Sequence, residues 1–361
     1  MTFFKSLSFI FAVCTVTCMV TCMIGWSSCG NTKPAQSITD SKTQNYRLAF
    51  YNLENMMDTE DDPRTKDDDF TPTGKMQWTQ ERYQRKVKNM SDVITAIAPS
   101  VIGFSELENR RVLQDLMNAN PTLIAADYDI VHHDSPDERG IDVGFAYQRS
   151  AFKVLNDRTI RVNIPTVDKR AGTPQTTRDI LEVDGILGGK DTITFFVNHW
   201  PSRRNGDKNS EGRRIAAAKT LRRAVDSLQR ARPNAKMMIM GDFNDQPTDI
   251  SIAEALRARE DKNSIGNGDL FNMLADLHLL DKGSYFYKGI WNMLDQVICT
   301  PNLLNDKKGQ LKVSNPQIFE EEWVMFKHKD YGLLPNRTYG GLHYYGGYSD
   351  HLPIYIDITR R

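Results

Sequence analysis

Six short segments carry side chains that could do chemistry together. "FYNLEN" contributes Asn52 and Glu54, and "GFSELEN" contributes Glu106. "TFFVNHWPSR" holds Asn198 and His199, and "MGDFND" holds Asp242 and Asn244. "MLDQVICT" opens with Asp295, and "GYSDHLPIYIDI" opens with Ser349, Asp350 and His351. Taken singly, an Asp or Asn at a strand end is an ordinary turn residue, and a lone His is ordinarily surface or satisfied core. Their joint occurrence beside apolar runs implies a shared cavity. Two carboxylates 4 Å apart repel by about 4 kcal/mol at an effective dielectric near 20, so such a cluster holds protons or a cation. Carboxylate and amide oxygens suit hard ions, Mg²⁺ first and Mn²⁺ or Ca²⁺ as alternatives. No cysteine is on hand and the histidines lack zinc-like spacing. The two imidazoles can move protons near neutral pH. This set fits phosphate-ester hydrolysis better than acyl transfer, and no nucleophile motif points to a covalent intermediate.

Apolar periodicity shows which elements must hold these residues. "YRLAFYN" (46–52) reads as a strand, followed by an acidic, Pro- and Gly-containing surface loop. Tyr83, Val87, Met90, Ile94 and Ile97 then recur at helical spacing behind a Thr79 cap, and Pro99 ends the helix. "SVIGFSE" is a buried strand ending in Glu106. A second helix is expected near 109–119, with strands near 128–133, 141–148, 151–160, 177–183 and 191–198. A long helix is expected from Glu211 to Gln229, then strands "AKMMIMGD", "LDQVICT" and "HLPIYIDI". The strands are too many for one comfortable sheet. The expectation is therefore one α/β domain, a four-layer sandwich of two packed mixed β-sheets flanked by helices. In "GDFND", Asp242 and Asn244 should share a side while the Phe243 ring faces away, and Asp245 reads as a turn residue before Pro247.

The ordered set Asn52, Glu106, His199, Asp242-x-Asn244, Asp295 and Asp350-His351 resembles the endonuclease/exonuclease/phosphatase superfamily, from about Arg47 to Ile358. "GDFN", "NHWPSR" and "SDHLPI" carry the likeness, and "RGIDVGFAY" with the acidic loop resembles a bacterial, often exported branch. The resemblance implies Glu106 as principal metal ligand, with Asn52 beside it and Asp350 as a further ligand. It implies Asp242 and Asn244 at the scissile phosphate and attacking water, or at a second metal. His351 would be the general base, oriented by Asp295, with His199 on the phosphate side. Glu54 stands where some members have a second metal-binding acid. Arg178 is a candidate phosphate clamp, Arg203 a second phosphate-binding candidate, and Asp142 a candidate orienter of His199. The implied mechanism is one in-line attack by activated water.

The N-terminal segment differs in kind from the body. Residues 1–29 combine Lys5, a long apolar run and small residues before Cys29, an export leader. Its "SSC" resembles the end of a bacterial lipoprotein signal. Cleavage, lipidation at Cys29 and retention as an anchor all fit the pattern. Residues 30–45 read as a polar tether and 46–361 as the catalytic domain. The expected location is thus periplasmic or on the cell surface, with membrane attachment through the N-terminus as one option. Four of the five cysteines lie in the leader, so the body, with Cys299 alone, cannot form an internal disulfide.

Lys+Arg and Asp+Glu are equal at 46 each, which excludes a global field that recruits polyanions. Residues 203–223 are nevertheless locally basic, with eight Lys/Arg against Asp207 and Glu211. That stretch is either a solvated helix face or a track for a nucleic-acid backbone containing Arg203, Arg204 and Lys208. A nuclease is the leading expectation. A sphingomyelinase-like phospholipid phosphodiesterase would need an exposed apolar hairpin, for which "YFYKGIWNM" (285–293) is the candidate. A phosphomonoesterase and a non-catalytic surface-binding lipoprotein are the remaining alternatives. The tyrosines of "TYGGLHYYGGYSDH" are expected to pack a loop rather than stack on bases.

Overall fold

In "KMMIMGD", alternate residues face opposite hydrophobic layers, which shows how the fold is built. The computed structural model describes residues 43–164, 177–203 and 207–360, without the side chains of 207–209. Met237 and Ile239 pack outward against a long helix, Asp207–Ala231. Met238 and Met240 pack inward, into a core shared with the other sheet. Period-two alternation with both faces apolar is what a central strand between two layers requires.

One sheet has six strands. They are β1 (Gln44–Met56), β2 (Val101–Leu107), β3 (Tyr128–His132), β4 (Asp142–Gln148), β14 (Leu311–Ile318) and β19 (Ile354–Arg360), in the order β14-β19-β1-β2-β4-β3. The other has seven: β5 (Phe152–Ile160), β6 (Ile180–Leu187), β7 (Asp191–His199), β8 (Lys236–Asp242), β9 (Ala258–Arg259), β10 (Leu270–Asn272) and β13 (Asp295–Cys299). Their order is β5-β6-β7-β8-β13-β10-β9. Both sheets are mixed, with β1–β2 and β7–β8 parallel and most other pairs antiparallel. Three short hairpins lie outside them: β11 (Tyr285–Tyr287) with β12 (Ile290–Asn292), β15 (Met325–His328) with β16 (Gly332–Pro335), and β17 (Tyr339–Gly340) with β18 (His343–Tyr344).

Helices supply the outer layers. α1 (Gln80–Ile97) and α2 (Arg110–Asn118) bury their apolar faces in the same core as β1 and β2, and α3 (Pro121–Ala125) follows. α4 (Asp207–Ala231) sets Ala217, Ala218, Leu221 and Val225 on the second sheet. The expected four-layer α/β sandwich is present. The Thr79 hydroxyl accepts from the Arg82 N–H, and Ala98, at φ +50°, closes α1 before Pro99, as its sequence pattern requires.

Two expectations shift. The strand read at 177–183 runs instead over Ile180–Leu187, because Thr177–Asp179 lead into the sheet while Arg178 donates to the Trp200 carbonyl. The acidic loop is not wholly superficial. Trp78 is fully buried within it, donates to the Met57 carbonyl and packs with Phe70 and Tyr339. The leader lies outside the described residues, as do all but the last three residues of the tether.

Candidate active site

The two sheets bring their polar strand ends together, and the register explains how. β8 lies between β7 and β13, so Asp242 pairs with both His199 and Asp295. Gly241 is required there, since a Cβ would meet the Asn198 carbonyl at 2.4 Å. From the other sheet, β1 delivers Asn52, whose Nδ2 donates to Asp242 Oδ2 at 3.0 Å. Near the end of β2 stands Glu106, whose Oε1 lies 3.7 Å from His199 Nε2. Asp242 Oδ2 is also 3.7 Å from that nitrogen. His351, at the entry to β19, places Nδ1 2.6 Å from Asp295 Oδ2.

Left-handed backbone recurs at these strand ends. Glu54, Asn55, Glu106 and Asn244 have φ between +49° and +59°. Non-glycine residues rarely adopt this region, and here each is fixed by hydrogen bonds or by pairing in the sheet. Asn55 N–H donates to Glu106 Oε2, and Glu54 N–H donates to Asn52 Oδ1. Asn244 N–H donates to Asp242 Oδ1, while its Nδ2 donates to the Trp200 carbonyl. The left-handed Asn244 means that strand alternation stops at Asp242, earlier than the sequence pattern indicates. The Phe243 ring does face away, packing edge-on against Trp200 at 4.7 Å.

Burial sets the proton affinities. It pushes the Asp242 carboxyl up to about 7, with Asp295 and Glu106 adding to the rise and His351 opposing it. His199 is held well below the usual imidazole range, first by burial, then by the charges of Arg178, Arg139 and His351. It is therefore a neutral imidazole, and its Nδ1 is buried without a hydrogen-bond partner. His351 goes the other way: although burial opposes its charge, Asp295, Asp242 and Asp350 raise it well above the ordinary value. Asp242, Asp295 and His351 have ligand atoms within 4.8 Å of one another and are buried. A buried carboxylate of raised proton affinity crowded by others, as Asp242 is, is the electrostatic signature of a site completed by a cation. The donor set (Asn52, Glu106, Asp242, Asp295, Asp350) is oxygen-rich, so these residues fit a divalent metal.

Other expectations are corrected. Asp142 does not orient His199: its carboxylate accepts from His132 at 3.0 Å and from Ser135. Arg203 is committed to the Asn244 carbonyl, Asp245 and Asp249. Asp245 is thus no simple turn residue, because it is buried and also pairs with Arg214 and Ser251. Arg178 is buried behind the site, pairing with Asp137 and the Trp200 carbonyl. Glu54 turns towards the Thr338 and Tyr339 amides instead of the Asp242 cluster. Part of the basic track is drawn inward, with Arg214 and Arg222 buried in ion pairs, while Lys219 and Arg223 stay exposed. Arg204 and the Lys208 side chain lie outside the described residues.

Two contributors were not singled out as site residues from sequence. Arg139 lies within "RGIDVGFAY", rests 3.4 Å from Asp137 and projects its charge to His199. Its position in that motif was the available signal. Tyr285 forms a bridge with His351 and lays its ring 4.7 Å from the imidazole.

Comparison with known proteins agrees with this fold. The Endonuclease/Exonuclease/phosphatase family model matches residues 47–360. The chain belongs to that family. An endonuclease/exonuclease/phosphatase family protein from Bacteroides thetaiotaomicron is similar in structure at 14% identity, with a TM-score of 0.54 over 89% of this chain and 99% of that one. A mannosyl-6-phosphatase from the same organism shares 15% identity, with a TM-score of 0.52 over 87% and 99%. D. rerio TDP2, solved with a single-strand DNA product, shares 14% identity, with a TM-score of 0.52 over 87% and 98%. No curated protein matches the chain. As a member of this family, the protein is a metal-dependent hydrolase of phosphate esters.

Proposed function

We propose that the enzyme is a Mg²⁺-dependent phosphodiester hydrolase acting on nucleic acid, exported through its N-terminal leader. The Tyr285 ring carries this reading: it lies 4.7 Å from the His351 imidazole, and an aromatic face beside the general base suits a substrate that has a base next to its phosphate. Similarity in fold to both a phosphatase and a DNA-binding relative leaves this choice to the site itself.

Asn52, Glu106 and Asp350 would hold the ion, which supplies charge neutralisation and polarises a phosphoryl oxygen. His351, in its neutral form and made more basic by Asp295 at Nδ1, takes the proton of the attacking water on its other ring nitrogen. His199 offers an N–H to the phosphoryl oxygen as a neutral donor, and Asn244 borders the same position.

Bis-(p-nitrophenyl) phosphate, p-nitrophenyl phosphate, single-stranded DNA and RNA, and sphingomyelin vesicles would be compared with Mg²⁺ and with excess chelator. Diester and oligonucleotide cleavage, lost on chelation and in His351→Ala, is the expected result. Faster turnover of the monoester, or of sphingomyelin, would overturn the reading.

A further inference from the structure

A row of aromatic rings leaves the active site and runs into solvent. It starts on the His351 imidazole, with the Tyr285 ring 4.7 Å away and tilted by 32°. Tyr287 continues it, its ring nearly parallel to that of Tyr285 at 17° and 6.3 Å distant. Tyr287 is 54% exposed. Lys288 Nζ lies 5.2 Å from the centre of the Tyr287 ring.

The row is anchored to the catalytic residues. Ser284 accepts from the Leu352 N–H through its carbonyl and from the Asp295 N–H through its hydroxyl. Gln246 ties the far strand, donating to Asn292 Oδ1 and accepting from the Met293 N–H. The face away from the row is braced, because Phe286 packs on Trp291 and on Tyr331 of the neighbouring hairpin. The adjoining tips carry Lys288 and Lys329, the latter 3.9 Å from Asp330, and Lys327 lies on the neighbouring strand β15.

We propose that Tyr287, backed by Tyr285 and flanked by Lys288, is a stacking subsite for an unpaired nucleobase next to the scissile phosphate, so that the enzyme selects single-stranded nucleic acid. The inference rests on the nuclease reading above. Every base offers a π-face, so such a subsite tolerates sequence but requires a base that is not paired in a duplex. The ammonium over the ring is displaced by the base and moves to its phosphate, which conserves the charge contact. A lipid surface is the competing occupant, since Ile290 at the same tip is 63% exposed. Lysines around the tips match a polyanion, and the stacked row begins on the catalytic imidazole itself, which favours the base.

The test uses Tyr287→Ala and Tyr287→Phe with three substrates: a single strand, the same strand with an abasic residue beside the cleaved phosphate, and the duplex. Alanine should raise KM on the intact strand about 10-fold with kcat retained, within the range that stacking supports. Phenylalanine should restore it, and the abasic strand should show no difference among the variants. Equal effects on intact and abasic strands, or none, would overturn the subsite while leaving the nuclease reading in place. Absence of cleavage of any oligonucleotide by the wild type would remove both. Loss of binding to phosphatidylglycerol vesicles in Tyr287→Ala, with unchanged oligonucleotide kinetics, would assign the hairpin to a membrane and overturn the proposal.

Discussion

His351 and Asp295 meet at 2.6 Å although they enter strands of different sheets, β19 in the six-stranded sheet and β13 in the seven-stranded one. The pair therefore exists only when the sandwich is closed. Asp295 is 1% exposed, and the imidazole is the hydrogen-bond partner of its Oδ2, while its Oδ1 has none. Burying that carboxylate is tolerated because the imidazole Nδ1–H donates to its Oδ2.

Breaking the pair should act on turnover rather than on substrate binding. Asp295→Asn removes the charge that orients and strengthens His351, so kcat should fall by about 10²- to 10⁴-fold. Adding His351→Ala to Asp295→Asn should cost little more than His351→Ala alone, because the two residues act as a unit. A strictly additive double variant, measured on a diester substrate, would show that the two work independently.

Glu106 is held at φ +59°, beside His199 and pinned by the Asn55 amide. If its carboxylate holds the divalent ion, Mg²⁺ should raise the thermal midpoint of the wild type. Saturation at about 100 times the dissociation constant contributes about 2.7 kcal/mol. Glu106→Gln should lose most of that Mg²⁺-dependent rise while unfolding normally in chelator. A full Mg²⁺ shift in the variant would place the ion elsewhere.

Asn244 separates backbone from side-chain requirements. Its φ of +52° suits glycine, while its amide donates to the Trp200 carbonyl. Asn244→Gly should therefore fold with a midpoint close to wild type yet lose diester turnover. Asn244→Val should lose stability as well, because a β-branched side chain opposes a positive φ. Parallel melting curves and rates would distinguish the two effects.

The convergence of Asn52, Glu106, His199, Asp242, Asp295 and His351 was readable because β-strand ends deliver short polar side chains in a fixed order, and the apolar runs before them are unambiguous. What escaped was long-range pairing among charged residues. Arg203 looked exposed and basic, yet Asp245 and Asp249, more than 40 residues away in sequence, neutralise it. Asp142 looked available to His199, yet His132 on the adjacent β3 takes it. Neither partner is marked by periodicity, since ion pairs obey no spacing rule across strands. The extra turn of chain geometry at Asn244 was hidden for the same reason: a left-handed residue depends on what its amide can reach.

The Asp142 correction is itself measurable. Asp142 is 2% exposed and ties His132 to Ser135. Asp142→Asn should lower the thermal midpoint but leave kcat within about twofold, since no contact joins it to His199. A kcat loss of the size expected for Asp295→Asn would restore Asp142 to the catalytic set.

Glu108 gives the fold a pH dependence away from the catalytic cluster. Burial pushes its carboxyl from 4.5 up to about 7, with Asp58 and Asp67 adding to the rise, while the Asp58 amide and Arg111 oppose it. A carboxyl whose folded pKa exceeds its unfolded value favours the protonated form in the fold. Its ionisation thus costs stability progressively as pH rises from about 4.5 to about 7, and the cost is complete above that. Glu108→Gln keeps an oxygen to accept the Asp58 N–H, a bond of 2.6 Å, without the charge. The variant should melt higher than wild type at pH 8, by roughly 2–4 °C for each kcal/mol recovered. At pH 4.5 the difference should vanish. A variant less stable than wild type at pH 8 would show instead that the ionised carboxylate is favourable there, and that Arg111 outweighs burial at this position.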